Sequence, residues 1–102
     1  MGDLNSVVSI VRILEKPIQT IINNNAVTKC RAQFPQIRKT TIVDLVIWGN
    51  LGRDIENFYQ INDHILIEGF VSLRDKKIDH LDSIVQKSKK VEITVIRAYP
   101  FF

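Results

Sequence analysis

The residues of this chain that could carry chemistry are few. There is one cysteine, Cys30, and there are two histidines, His64 and His80. A cysteine attacks as its thiolate and needs a neighbouring base or cation to form it. Cys30 sits in Thr28-Lys29-Cys30-Arg31-Ala32, with no histidine nearby in sequence, and reads as a small buried hydrophobe. The histidines do not stand at metal-ligand spacing from Cys30 or from a carboxylate pair. Asp79 and Asp82 share one apparent helical turn and read as solvated charge. Gly49 and Gly52 mark a turn and a helix start, not a phosphate-cradling loop. No nucleophile elbow and no HExxH is found. A non-enzymatic protein with no cofactor and no metal is therefore expected.

What remains is cations with one indole among them. Lys29 and Arg31 alternate along one run, Arg38 and Lys39 follow, and Trp48 is the single tryptophan. Sequence-tolerant binding of single-stranded nucleic acid needs such a set: cations for phosphates and aromatic faces for bases. Lys and Arg number 14 against 11 Asp and Glu, a formal charge of +3. That excess has an address. Residues 74–90 hold Arg74, Lys76, Lys77, Lys87, Lys89 and Lys90 against Asp75, Asp79 and Asp82, and the rest of the chain is neutral. Each feature also has a plainer reading: Trp48 as packing at a rim, Lys29 and Arg31 as a solvated strand face, the basic segment as a solubilising loop.

The elements that must position these residues follow from periodicity. At 102 residues, with 45% apolar and 25% charged residues, the chain suits one globular domain spanning 1–102 and excludes larger enzyme folds. One cysteine excludes a disulfide framework. No apolar run is long enough to span a membrane, and no secretory signal is expected. Residues 7–14 are rich in β-branched side chains and end before Pro17, where the strand stops or bends. Residues 18–22 resume it. Asn23-Asn24-Asn25 is a turn, and 26–34 returns as the second arm of a hairpin. Residues 40–48 form the next strand. Leu51, Ile55, Phe58 and Tyr59 then mark one face of a short helix, with Asn50 expected to cap it. Residues 64–73 and 91–99 are the last strands. Between them Ile78, Leu81 and Val85 fall at helical spacing. Five strands with a helix between the third and fourth is the order of a mostly all-β OB-fold, a five-stranded Greek-key barrel. An ordinary five-stranded α+β sheet has the same order.

The run Ile42-Val43-Asp44-Leu45-Val46-Ile47-Trp48-Gly49-Asn50-Leu51 resembles the third strand and turn of bacterial single-stranded-DNA-binding proteins, where an apolar strand ends in aromatic-Gly-Lys-Leu. Tyr59 to Gly69 is similar to that family's helix end and fourth strand, which closes on Glu-Gly. The resemblance extends in order over residues 4–99 and includes the short, single-domain members encoded in plastid and cyanobacterial genomes. It implies an OB-fold that binds single-stranded DNA or RNA in a plastid stroma or a bacterial cytoplasm, as a homodimer or homotetramer. The acidic, glycine-rich tail of the bacterial proteins has no counterpart in these residues.

The strand alternation puts Ala26, Thr28, Cys30, Ala32 and Phe34 inside with Val43, Leu45 and Ile47. It puts Val27, Lys29, Arg31, Gln33, Ile42, Asp44, Val46 and Trp48 on the outer, binding face. There the chain departs from the family. Ile42 and Lys76 stand where the family has aromatics, and Asp44 stands where it has a cation. Missing stacks cost about 2–6 kcal/mol in all, or about two to four decades of affinity. Lys29, Arg31, Arg38, Lys39 and the basic residues of 74–90 remain as phosphate contacts, with Trp48 as the platform. A second reading stays open: an OB-fold adaptor that has lost nucleic-acid binding and docks through the 74–90 segment or the apolar Tyr99-Pro100-Phe101-Phe102 terminus.

Overall fold

The computed structural model describes residues 5–35, 41–75 and 89–101, with backbone alone at 73–75 and 89–90. Six strands and one helix run in the order β1 (Ser6–Ile13), β2 (Ile18–Ile22), β3 (Asn25–Phe34), β4 (Thr41–Trp48), α1 (Asn50–Phe58), β5 (His64–Asp75) and β6 (Lys89–Pro100). The sheet order is β1-β5-β6-β4-β3-β2, and a further β1–β3 pairing joins its ends. Five strands thus close a barrel, with β4 and β6 running parallel and the other pairs antiparallel. This is the OB-fold expected from the element order. Because the barrel closes, most of its strands have no exposed edge.

The first strand of the five breaks where proline predicts. Pro17 is fully buried between β1 and β2 and ends the ladder. β2 then pairs with β3 from Ile18↔Lys29 to Ile22↔Asn25. Asn23 and Asn24 make the connection at φ 49° and 66°, the left-handed pair a two-residue type I′ hairpin requires.

Barrel closure converges on Arg12, which lies opposite both Gln33 of β3 and His64 of β5. Its guanidinium donates to Gln33 Oε1 at 2.6 Å and to Asn62 Oδ1 at 3.2 Å. One side chain therefore ties β1, β3 and the turn after α1 together.

The core is aliphatic. Val11, Ile13, Leu45, Ile47, Ile65, Ile67 and Ile93 are fully buried, and Ile55 of α1 seals the same cluster at one end. The helix starts differently from expectation. Gly49, not Asn50, is its N-cap, with φ 73° and no side-chain cap bond, and Asn50 is already helical. A left-handed residue is required there, and glycine occupies it without strain. Gly52 lets the first turn settle onto the sheet. A Cβ there would lie 2.4 Å from Thr28 Oγ1 and 2.8 Å from the Ile47 carbonyl oxygen.

Two expectations on the strands are corrected. Val27 was expected outside but is fully buried, opposite Trp48 on β4 and Thr20 on β2. Val46 is likewise buried. Both have a neighbouring strand on either side, and strict alternation ignores cover from such neighbours. The basic excursion is also shorter than 74–90. Arg74 pairs in register with Lys90 and Asp75 with Lys89, so the ends of the segment are strand. Residues 76–88 lie outside the described residues, and with them Ile78, Leu81, Val85 and His80.

Candidate nucleic-acid interface

The outer face of the barrel is organised by register. One row crosses it from Lys29 on β3 through Val46 on β4 and Thr94 on β6 to Phe70 on β5. The adjacent row reads Arg31, Asp44, Glu92 and Ser72. Trp48 ends β4 beside the first row, opposite Val27. Trp48 is 48% exposed and Phe70 37%. From strand spacing and rise, their Cα positions are about 12 Å apart on one surface.

Trp48 and Lys29 thus occupy the face that alternation assigned to them. Arg31 does too, but it is not an isolated cation: Nε lies 3.8 Å from Asp44 Oδ1. The acidic residue at the family's basic position sits directly across from it in register. Among the described residues of the two rows, Lys29 and Arg31 are offset by Asp44 and Glu92. This part of the face carries no net charge.

Of the other expected contacts, Arg74, Lys89 and Lys90 lie on the paired extensions of β5 and β6. Arg38, Lys39, Lys76, Lys77 and Lys87 lie outside the described residues. Phe70, which the sequence leaves open between core, interface and stacking platform, is exposed on this face. Period-two alternation along β5, with Ile65, Ile67 and Gly69 buried, would have placed it outside.

The thiol takes no part in this face. Cys30 is buried in the core, and burial, helped by Glu15, pushes its pKa up to about 12. A thiol so held stays protonated at neutral pH. Among the described residues no group of three or more His, Cys, Asp or Glu could hold a metal. No described helix is long and apolar enough to cross a membrane.

No family model matches the chain. It is 33% identical over 97 residues, 90% of its own length and 84% of the relative's, to ycf41 of Trieres chinensis, named provisionally as a single-stranded DNA-binding protein. The ycf41 protein of Porphyra purpurea, named the same way, is 34% identical over 61 residues, 59% of this chain and 55% of the relative. Among solved structures, the SSB domain of a Synechococcus protein superposes with TM-score 0.73 at 22% identity, covering 97% of this chain and 98% of that one. A small single-stranded DNA-binding protein from Streptomyces coelicolor gives TM-score 0.79 at 10% identity, over 99% and 96%. The second such protein of Mycobacterium smegmatis gives 0.69 at 18%, over 94% and 87%. At these identities the structures speak for the shared barrel. Sequence identity along nine-tenths of its length supplies the rest: the chain belongs to the ycf41 family of SSB-like OB-fold proteins.

Proposed function

We propose that this protein binds single-stranded DNA without catalysing a reaction on it, through the outer face of β3 and β4. The observation that carries the reading is Trp48, 48% exposed on an open strand face, in a chain 33% identical to a relative named for single-stranded DNA binding. Trp48 stacks on a base, with Phe70 as the second platform. Lys29 contacts phosphate beside them. Arg31 does so only as far as Asp44 releases it.

The net positive charge then comes from outside this neutral face. Arg38, Lys39, Arg74, Lys76, Lys77, Lys87, Lys89 and Lys90 are the proposed phosphate contacts. In the OB-fold, the connection between the strands numbered here β5 and β6 is one of the usual ligand-contacting segments. Binding is accordingly salt-dependent, with two stacks each contributing about 1–3 kcal/mol.

Titration with oligo-dT and oligo-U tests this. Trp48 fluorescence is quenched by the ligand, and affinity falls as salt rises. No quenching and no binding at low salt would refute it. The neutral face favours the adaptor reading instead, and that outcome would leave it standing.

The compartment we propose is the plastid stroma, on the resemblance to plastid-encoded members. We also propose a homodimer or homotetramer. Val8 is 66% exposed, and the row Ile10, Leu66, Tyr99 continues an apolar surface beside it. Among the described residues β1 meets β3 only at Arg12 and Ile13, so most of one strand edge is open.

A further inference from the structure

We propose that a pocket at the C-terminal end of α1 receives an arginine side chain from a basic segment of a protein partner. It is a site apart from the Trp48 face. Trp48 precedes the first turn of α1, and the nine-residue helix puts about 13 Å between its ends.

The pocket has a volume of about 450 Å³ and is lined by Phe58, Tyr59, Asp63, His64, Pro100 and Phe101. That is within the range of built ligand sites. Phe58 is 74% exposed and Phe101 49%, an unusual disposition for two phenylalanines on a small barrel. The backbone is held at Tyr59, next to Phe58, and at Phe101. Tyr59 N–H donates to the Ile55 carbonyl at 3.1 Å, and Phe101 N–H donates to the His64 carbonyl at 3.3 Å. The carboxylate is fixed too. Asp63 Oδ2 accepts from Gln60 N–H at 2.8 Å, and Asp63 N–H donates back to the Gln60 carbonyl at 3.0 Å. The field of Asp63 reaches the neighbouring ring: the Tyr59 hydroxyl is held above its ordinary pKa, first by burial and then by that charge.

Aromatic rings around a fixed carboxylate are the chemistry of cation recognition. A cation is attracted to ring faces, and the planar guanidinium can stack on a ring while forking onto a carboxylate. Charge selects the occupant further. Among the described residues neither Lys nor Arg lines the pocket. Residues 50–64 hold Asp54, Glu56 and Asp63 against Arg53, and the nearby Arg12 is turned to Gln33 and Asn62. A phosphate backbone is repelled there, and a basic protein segment is attracted. The chain would thus hold nucleic acid on one face and a basic protein at the far end of α1.

The test is an NMR titration of the full chain, following the ring resonances of Phe58, Tyr59 and Phe101. The probes are the capped tripeptide Gly-Arg-Gly, its Gly-Phe-Gly counterpart, and oligo-dT. Saturable shifts are expected with the arginine peptide, unchanged when oligo-dT is bound. Asp63→Asn keeps an acceptor for Gln60 N–H and should weaken arginine binding about three- to fivefold. Phe58→Ala, at an exposed position, should weaken it by a similar factor. No shift with the arginine peptide overturns the proposal. So do equal binding by Asp63→Asn, saturation by the phenylalanine peptide or oligo-dT in its place, and shifts that follow protein concentration alone, which would assign the pocket to a second copy. Trp48 fluorescence reports DNA binding separately, so either reading can fail without the other.

Discussion

Neutralising Asp44 should tighten single-stranded DNA binding, because its carboxylate is the local counter-charge to Arg31. The two groups lie 3.8 Å apart, with side-chain exposures of 62% for Arg31 and 19% for Asp44. An ion pair this exposed is worth at most about 1 kcal/mol, so Asp44→Asn should leave stability nearly unchanged. Its effect on a phosphate is larger. The substitution adds one net positive charge to a face whose described charges now cancel. For a single strand, each neutralised phosphate steepens the dependence of log K on log salt by about 0.7. One more such contact multiplies affinity about fivefold at 0.1 M salt, relative to 1 M where the gain vanishes. Asp44→Lys adds two charges, and the same reasoning gives about 25-fold. Anisotropy of a labelled oligo-dT, measured across about 0.05–1 M salt, reads both slope and affinity. Parallel lines of equal height for wild type and Asp44→Asn would refute the reasoning. A gain that did not shrink with salt would refute it equally, because its origin would not be charge.

Trp48→Ala should weaken oligo-dT binding by about 1–3 kcal/mol with the salt slope unchanged, and Phe70→Ala should do the same on a smaller scale, both read by anisotropy. Gly52→Ala should destabilise the fold by about 2 kcal/mol or more, since the new Cβ meets the Ile47 carbonyl at 2.8 Å and backbone cannot rotate away; for a domain of this size the melting temperature falls by about 8–16 °C. Alkali should destabilise the protein through Cys30: its folded pKa is about 12 against an ordinary 9.0, so the unfolded chain loses the proton first and stability falls as pH rises from about 9 to 12. The slope approaches about 1.4 kcal/mol per pH unit, and denaturant titration of Cys30→Ala should lose it. Val8→Lys, which places a cation opposite Glu68 in register, should dissociate the proposed oligomer at an exposed position while leaving the fold intact, as light scattering and circular dichroism would report.

The fold was legible because its decisive signals are local. Proline at 17 breaks the first strand, paired asparagines at 23 and 24 make the hairpin, and the change from period two to period 3.6 after Gly49 announces the helix. Which strands close the barrel is not local. It depends on Arg12 facing Gln33 and His64 together, and nothing in the spacing of those residues says so. The site was legible by half. Alternation placed Lys29, Arg31 and Trp48 on the outer face, as found. It could not bury Val27, because that burial involves neighbours on β2 and β4 brought together by pairing. The helix cap was misread for a related reason. Asparagine is the better side-chain cap, but the backbone at the cap is left-handed and a glycine stood one residue earlier.

The cross-strand register also changes what the overall charge means. The formal +3 lies within residues 74–90 and leaves the rest of the chain neutral in sum. Arg31 and Asp44 are direct partners across β3 and β4, with Glu92 beside them on β6. Arg31 alone is matched across the ladder, while Lys29 lies opposite Val46 and Asp44 also lies opposite Glu92, so the face is neutral in sum and not pair by pair. A face neutralised in this way gives up phosphate affinity but keeps its rings in the open. Trp48 and Phe70 are then the rings open to stacking with unpaired bases, and the charge supplied from outside the face sets how strongly a strand is drawn to them. Salt should therefore modulate how much DNA is bound, and Trp48→Ala should remove one of the two proposed stacks without changing that salt dependence.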